Sequence, residues 1–465
     1  MSSLTLVEAL SSVLPAEAIA CDEETLTRHA HDETEDLLHR PEVVVSPRSE
    51  EEVRALLALA ARRRFPVTPQ GGLTGLSGGA LAVGGGVALD LTRMNRILEV
   101  DRENMFAVVE PGVVTQALHE RVESEGLFYP PDPASRGSCT IGGNIAENAG
   151  GPRAAKYGTT GRYVSGLRVV LAGGAVLALG GKNRKDVAGY DLVSLFVGSE
   201  GTLGVVTQAT LRLLPSPSHR RLLWASFAEE EKALAAVPLL FAEGREPSAC
   251  EFMERRAAEV SAASLAIQLP ADAEGHLFVE ADGFDEGTVE RDAERFGEIL
   301  LEAGARDVVL AVSEPEQRQL WRLRRAVGEA VKRLGPYAEE DCSVPRTRLA
   351  ELFRTVREIA GRHGLLVVSY GHAADGNIHV NVVEPPGDRA RWLAGRGAAI
   401  TEIFRAVVAM GGTITGEHGV GLTQRDYLGL RHSPEVLDAM RALKRTLDPG
   451  GVLNPGKIFA AGSAA

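Results

Sequence analysis

The sequence predicts an α+β chain in two main parts, on three observations. At 465 residues it is too long for one ordinary core. Its first half strings short β-branched runs between three glycine-rich loops. Its second half alternates strands with long charged helices, the pattern of an antiparallel sheet with helices packed on it. Pro215-Ser216-Pro217 stands where the pattern changes. The expected division is an N-terminal helical segment, 1–40, a ligand-binding domain, 41–217, a second α+β domain, 218–415, and a C-terminal segment, 416–465, that returns to the first domain.

In order along the chain, Val43–Val45 is a β-branched run. Ser49 and Glu52 form an S-x-x-E capping box ahead of the apolar-periodic Val53, Leu56, Leu57 and Ala60, and 66–68 resumes extended structure. Strands are expected at 87–91, 97–100 and 106–109, with a helix near 115–125. Residues 167–172 and 175–179 read as a hairpin with the two-residue turn Gly173-Gly174, and 204–214 as a long strand. Helices follow at about 228–243, 287–303, 315–334 and 347–363. The stretch 434–459 ends in two Pro-Gly turns, the mark of a chain held against something rather than a free tail.

Composition narrows the function. Hydrophobic residues make up 44% and charged residues 24%, the balance of a globular protein. A formal net charge of −13 repels phosphate backbones and anionic lipid, and no Lys/Arg-rich block reverses it, so no nucleic-acid partner is expected. An anionic substrate would need a locally positive pocket. No signal peptide is visible at Met1-Ser2-Ser3-Leu4, and the longest apolar stretch, 167–179, is broken by Gly173-Gly174 and falls short of the ~20 residues that span a bilayer. Cys21, Cys139, Cys250 and Cys342 are scattered without C-x-x-C spacing, which excludes a self-contained iron–sulfur cluster of the usual kind and gives no disulfide framework. A reducing, cytoplasmic location without an integral membrane segment is the expectation.

Gly71-Gly72-Leu73-Thr74-Gly75-Leu76-Ser77-Gly78-Gly79 is the first glycine loop. Glycine lets backbone approach a ligand closely, so successive N–H groups can converge on an anion. The loop matches neither G-x-G-x-x-G nor G-x-x-x-x-G-K-[ST], and alone it could be a flexible surface turn. It is accompanied by Gly142-Gly143-Asn144-Ile145-Ala146-Glu147-Asn148-Ala149-Gly150-Gly151, after the rigid Pro130-Pro131-Asp132-Pro133, and by Gly198-Ser199-Glu200-Gly201-Thr202-Leu203-Gly204. Three such loops in one domain fit a long, flat, phosphate-bearing ligand.

The histidines carry a second signal. In His372-Ala373-Ala374-Asp375-Gly376-Asn377-Ile378-His379, Asp375-Gly376 is a type I′ turn signal between two β-runs, 365–370 and 378–383. Counting outward, His372 faces His379 on one side of the hairpin, with Cβ atoms ~4.5–5.5 Å apart, and Asn381 points the same way. Two such imidazoles can clamp a divalent ion. An open catalytic site takes three protein ligands, and Glu417, in Gly416-Glu417-His418-Gly419, is the candidate third. Zinc is preferred for this set, and manganese or iron could take the same ligands. The bland alternative for each histidine is a hydrogen-bonded structural side chain.

Pro69-x-Gly-Gly-x-Thr-Gly-Leu-Ser-Gly-Gly, Thr140-Ile-Gly-Gly-Asn-x-x-x-Asn-Ala-Gly-Gly, Gly189-Tyr-Asp-Leu and Gly198-Ser-Glu-Gly-Thr-Leu-Gly together resemble the vanillyl-alcohol oxidase fold group of flavoproteins. Within it they resemble the FAD subunit of glycolate oxidase, D-lactate dehydrogenase and D-2-hydroxyglutarate dehydrogenase, from about residue 41 to 459. The resemblance implies a two-part FAD-binding domain of the vanillyl-alcohol oxidase type and, at 218–415, a substrate (cap) domain. Pro69, Gly71, Gly72, Thr74, Gly75 and Leu76 would cradle the FAD pyrophosphate. Pro131, Asp132, Ser135, Thr140, Gly143, Asn144, Asn148 and Gly150 would line the isoalloxazine and its linker. Glu200, Gly201, Gly204, Val205, Val206 and Asn454 are further implied FAD contacts, the strand after Gly204 running under the adenine side. Members with covalent flavin often carry His in the first loop; none stands between Pro69 and Gly79, so FAD should be dissociable. The family also shows H-x-x-D-G-N-x-H and G-E-H-G at the flavin's reactive face.

The expected reaction is oxidation of a small D-2-hydroxy acid, with hydride passing to the flavin. His418 is the expected base, Asn381 a further catalytic residue, and Arg324, in Trp321-Arg-Leu-Arg324, resembles the family's substrate-carboxylate arginine. Members acting on 2-hydroxyglutarate resemble W-x-L-R-x-x-x-T followed by a Lys shortly before an Asp. Here Gly328 stands at the Thr position and Glu339 near the Lys position, ahead of Asp341, which favours D-lactate or glycolate over a dicarboxylate. With no second cofactor motif, electrons must leave to an external acceptor, a partner subunit or carrier; a homodimer is a further candidate assembly. The competing expectations are a D-2-hydroxyglutarate dehydrogenase, a sugar or polyol oxidase on the same fold, and a non-catalytic flavin-binding subunit.

Overall fold

A computed structural model describes residues 3–265 and 267–460; the first two residues of the expected N-terminal segment and the last five of the C-terminal segment lie outside the described residues. The architecture is α+β. The chain divides into one compact unit of residues 1–150, 159–216 and 417–465, and another of 151–158 and 217–416.

In the first unit, β1 (Ile19–Ala20), β2 (Val43–Val45), β3 (Val67–Gln70) and β4 (Val87–Asp90) form a sheet in the order β1-β2-β4-β3, with β2 and β3 both parallel to β4. β2 and β3 flank β4, and the helix Glu50–Arg63 carries the chain across from one to the other, burying Val53, Leu56, Leu57 and Ala60 against the sheet. Ser49 caps this helix by accepting from the Glu52 N–H at 3.3 Å. The Glu52 carboxylate accepts from the Arg48 N–H at 2.8 Å instead of reaching back to Ser49, so only half of the expected box forms.

Next come β5 (Ile97–Asp101), β6 (Phe106–Val109), β7 (Leu127–Phe128), β8 (Val164–Val170), β9 (Val176–Gly180), β10 (Val205–Arg212) and β11 (Leu214–Pro215). Five of these make the antiparallel sheet β5-β6-β10-β8-β9, and β7 pairs with β11. The β8–β9 hairpin closes through Ala172, Gly173 and Gly174 rather than through a two-residue turn. Leu171 N donates to Ala175 O at 2.9 Å, and of the two glycines only Gly174 has positive φ (83°), whereas a type I′ turn needs it twice.

In the second unit, β12 (His219–Phe227), β13 (Ala249–Glu254), β14 (Gly275–Gly283), β15 (Ala305–Ala311), β16 (Tyr337–Ser343), β17 (Leu366–Gly371) and β18 (Asn377–Val383) form one antiparallel sheet in the order β15-β12-β14-β13-β17-β18-β16. Helices such as Glu286–Glu302 and Leu349–His363 lay apolar stripes on it, Val289, Ala293, Phe296 and Leu300 on the first, Leu352, Phe353, Val356 and Ile359 on the second. The expected 315–334 helix is two, Glu314–Arg325 and Val327–Val331. The helix expected over 228–243 runs Glu230–Ala236, and beyond it, where Pro238 lacks an N–H, the chain continues as a 3₁₀ turn, Val237–Phe241. Arg255–Leu265 and Arg389–Ala409 are helices that the strand–helix pattern did not reveal; the second runs unbroken through Gly395 and Gly397, poor helix formers. The short piece 151–158 belongs here because its polar side chains are bound to β14: Arg153 to Glu280 at 3.1 Å, Lys156 and Tyr157 to Asp282 at 2.5 and 2.6 Å.

Candidate active site

The three glycine loops of the first unit converge on one cleft, with an empty volume of about 1260 Å³, open solvent at its mouth included. Of the residues singled out in the sequence, Pro69, Gly71, Gly72, Thr74, Gly75, Leu76, Ser135, Thr140, Gly143, Asn144, Gly150, Glu200 and Gly201 line it, and so do Glu417 and His418. A Cβ on Gly72 would lie 2.2 Å from the Ser138 carbonyl oxygen, so the first loop and the 135–140 segment meet backbone to backbone. Leu73, Asn148, Glu200 and Asn454 hold left-handed φ of 57°, 56°, 51° and 41°, a costly conformation for side-chain-bearing residues and one that gathers at ligand-binding loops. A cleft floored by glycine backbone and walled by small side chains fits FAD.

The remaining expected cofactor residues stand off the cleft wall and hold it in place. Pro131 O is bound by His119 Nε2 at 2.9 Å, and Asp132 pairs with Arg136 at 2.7 Å. Asn148 Oδ1 accepts from the Gly161 N–H at 2.8 Å. Gly204, Val205 and Val206 pack on β8, a Cβ at Gly204 falling 2.5 Å from Val169. Asn454 Nδ2 donates to Gly79 O at 2.9 Å and Glu200 O at 2.7 Å, clasping the first and third loops together.

Glu147 and Glu200 also line the cleft, an acidic feature the glycine pattern did not announce. Burial pushes the Glu147 carboxyl well above the usual range, and neighbouring Glu200 pushes it further. Burial likewise raises Glu200, opposed by N–H bonds from Val420 and Gly421, both at 2.7 Å. Lys457 is drawn down to about 8 by burial, against the pull of Asp32 and Glu200.

In the second unit, one face of the sheet collects the polar residues. Tyr370 (β17), His379 (β18) and Asp341 (β16) are directly paired in register, and Val368, Asn381 and Glu339 form the adjacent row. On β13, Met253 pairs with Tyr370, which puts Glu251, two residues away, on the same face. The hairpin register differs from the expected one. His379 pairs with Tyr370 rather than His372, because Ala373–Asp375 is a 3₁₀ turn and only Gly376 (φ 75°) is left-handed, so no type I′ turn forms. The offset is two residues, which keeps the face. The His372 and His379 rings still meet, centroids 5.4 Å apart and nearly perpendicular (85°).

Each imidazole is backed by a carboxylate. Glu251, fully buried, takes His372 Nδ1 at 2.8 Å and forms an ion pair with Arg324, whose Nη2 lies 2.6 Å away. Glu339 Oε1 lies 3.5 Å from His379 Nδ1 and 3.4 Å from the Tyr370 hydroxyl. Burial, then the Glu339 charge, drives the Tyr370 phenol far above its ordinary value. The Arg324 guanidinium sits 5.2 Å from the Tyr370 ring centre, and Asn381 Nδ2 donates to Val368 O at 3.2 Å. Asp341 accepts from Asn377 Nδ2 at 2.5 Å and from the Gly416 N–H at 2.7 Å, tying down the residue before Glu417. Glu251 escaped sequence reasoning because its partners lie far along the chain, His372 being 121 residues away. Two carboxylate-backed imidazoles whose rings meet, His372 and His379, fit a divalent metal.

Comparison with known proteins now decides the family. Residues 41–180 match the FAD binding domain family, and residues 216–458 match FAD linked oxidases, C-terminal domain. The chain belongs to the FAD-linked oxidases. This FAD-linked oxidoreductase is 42% identical to the glycolate oxidase subunit GlcD of Bacillus subtilis (strain 168), over 93% of its own length and 92% of that protein's. It is 38% identical to a D-lactate dehydrogenase of Anaerostipes hadrus, over 90% of each. In fold the oxidase resembles p-cresol methylhydroxylase (TM-score 0.81, 17% identity, 98% of this chain and 97% of the other). Among its described residues no helix is long and apolar enough to cross a membrane.

Proposed function

We propose that this FAD-linked oxidase oxidises a small D-2-hydroxy acid, D-lactate or glycolate, to the 2-oxo acid, and passes the electrons to an acceptor outside the chain. The observation that carries the reading is the shared sheet face in the second unit, where the buried Arg324 stands beside the paired imidazoles of His372 and His379. In a chain of net charge −13, a buried guanidinium whose Nε has no hydrogen-bond partner among the described residues offers the donors that a substrate carboxylate requires. Relatives named for glycolate and for D-lactate support the substrate class.

Bound FAD supplies the hydride acceptor, and a divalent metal, zinc by preference, supplies a Lewis acid for the substrate hydroxyl. His372 and His379 would hold the metal with Glu417. Gly416 is bonded to Asp341, the ladder partner of His379, and one trans peptide carries the chain only ~3.8 Å from Cα to Cα, which supports Glu417 as third ligand. Arg324 binds the substrate carboxylate and Asn381 orients the substrate from the row beside His379. His418, whose Nε2 lies 3.9 Å from Glu417, takes the hydroxyl proton, since imidazole titrates near working pH. Glu339, on the same face, disfavours a second, distal carboxylate. The relative named as a subunit supports an electron-accepting partner subunit, and four free cysteines support a reducing, cytoplasmic location.

Metal analysis tests the site. Purified protein should contain about one divalent ion per chain. His379→Ala should lose that ion and dye-coupled D-lactate oxidation while keeping FAD. Full activity in a preparation free of divalent metal would remove the metal from the proposal.

A further inference from the structure

We propose that Glu251 is a positioning residue that locks His372 and Arg324 into one unit, so that the metal ligand and the anchor of the substrate carboxylate keep a fixed separation; this rests on the roles proposed for those two residues. Glu251 stands on β13, a strand that holds none of the other proposed site residues, and its side chain is 0% exposed. Its Oε2 forms an ion pair with Arg324, Nη2 lying 2.6 Å away, and its two oxygens take His372 Nδ1 at 2.8 and 2.9 Å. The partners are 7% and 8% exposed at their side chains, so solvent water has little room to substitute for the carboxylate.

The chemistry of this bridge is directional. A carboxylate only accepts, so the Nδ1 facing it carries the proton, and of the two ring nitrogens Nε2 is the one able to ligate a metal. The same carboxylate balances the guanidinium of Arg324, which is buried on the helix Glu314–Arg325 and would otherwise be uncompensated. Arg324 keeps donors in reserve: neither its Nε nor its Nη2 has a hydrogen-bond partner among the described residues, Nη2 meeting Glu251 as an ion pair, and its plane is steadied by the Tyr370 ring at 5.2 Å. One side chain thereby sets the tautomer of a ligand and the reach of the anchor, two requirements for holding an α-hydroxy carboxylate by both its oxygen-bearing groups.

Glu251→Gln tests this. The amide keeps the shape, but it carries no charge to pair with Arg324, and its NH₂ opposes the His372 Nδ1 donor that faces both carboxylate oxygens. Apo-protein, wild type and variant, is titrated with zinc against a chromophoric chelator, alongside FAD content, apo-protein melting and the KM for D-lactate. The expected result is a zinc dissociation constant raised roughly 10–100-fold, the range for losing a carboxylate behind a ligating histidine. A raised KM should accompany it, with FAD content unchanged. Glu251→Asp, which keeps the charge on a shorter arm, should fall between the two and is read in the same way should the Gln variant not fold. A purely architectural role would lower apo-protein melting and leave zinc affinity alone. Zinc affinity equal to wild type in the folded variants overturns the role of Glu251 only; a wild type that binds no zinc overturns it together with the metal reading.

Discussion

Replacing Glu280 with Gln should destabilise the second unit by about 3 kcal/mol at neutral pH. Glu280 lies mid-strand in β14, its side chain 1% exposed, and gathers Arg153 Nε at 3.1 Å, Ser248 Oγ at 2.9 Å and Trp321 Nε1 at 3.1 Å. Burial alone would raise its pKa; the charges of Arg153 and Arg220 and the bonds from Arg153 and Ser248 more than reverse that, bringing it from 4.5 to about 2. That fall corresponds to about 3 kcal/mol favouring the folded, charged form. Because the folded pKa is the lower one, the contribution is complete above pH 4.5 and is lost as the pH falls toward 2. All three tryptophans, Trp224, Trp321 and Trp392, lie in the second unit, so their fluorescence reports its unfolding. For a unit of this size the melting midpoint should drop by roughly 6–12 °C at pH 7, and the gap should narrow by pH 3. Coincident midpoints at pH 7, or a gap that does not narrow in acid, would refute the reasoning.

Two further outcomes follow from the site. Glu339→Lys exchanges a repelling charge for an attracting one beside His379 and Tyr370, and should raise the D-2-hydroxyglutarate to D-lactate ratio of kcat/KM roughly 100-fold. A ratio that stays put would clear Glu339 of any part in substrate size. With no His between Pro69 and Gly79, acid or heat should release all the flavin as FAD into the supernatant, and yellow colour remaining in the pellet would show a covalent bond.

Local signals were legible and distant ones were not. The glycine loops announced themselves because close backbone approach, as at Gly72 against Ser138, leaves glycine no substitute. Asp375-Gly376 signals a type I′ turn, whereas the hairpin turns through the 3₁₀ piece Ala373–Asp375. The His372 and His379 rings still meet because the difference in register is even, and strand faces repeat every two residues. Glu251 and Glu280 were invisible. A buried carboxylate has no local pattern, and its meaning comes from partners more than a hundred residues off, His372 for one and Arg153 for the other. The helix Arg389–Ala409 was missed because tertiary packing of Trp392, Ile403 and Phe404 overrides the cost of its glycines.

The central claim, that this FAD-linked oxidase takes a hydride from a short D-2-hydroxy acid, is tested most directly by mixing the yellow, metal-loaded protein with D-lactate, glycolate and D-2-hydroxyglutarate in the absence of oxygen. The account predicts rapid loss of the oxidised-flavin absorbance with D-lactate or glycolate and slow loss with the dicarboxylate. A flavin that stays oxidised with both short acids would contradict it.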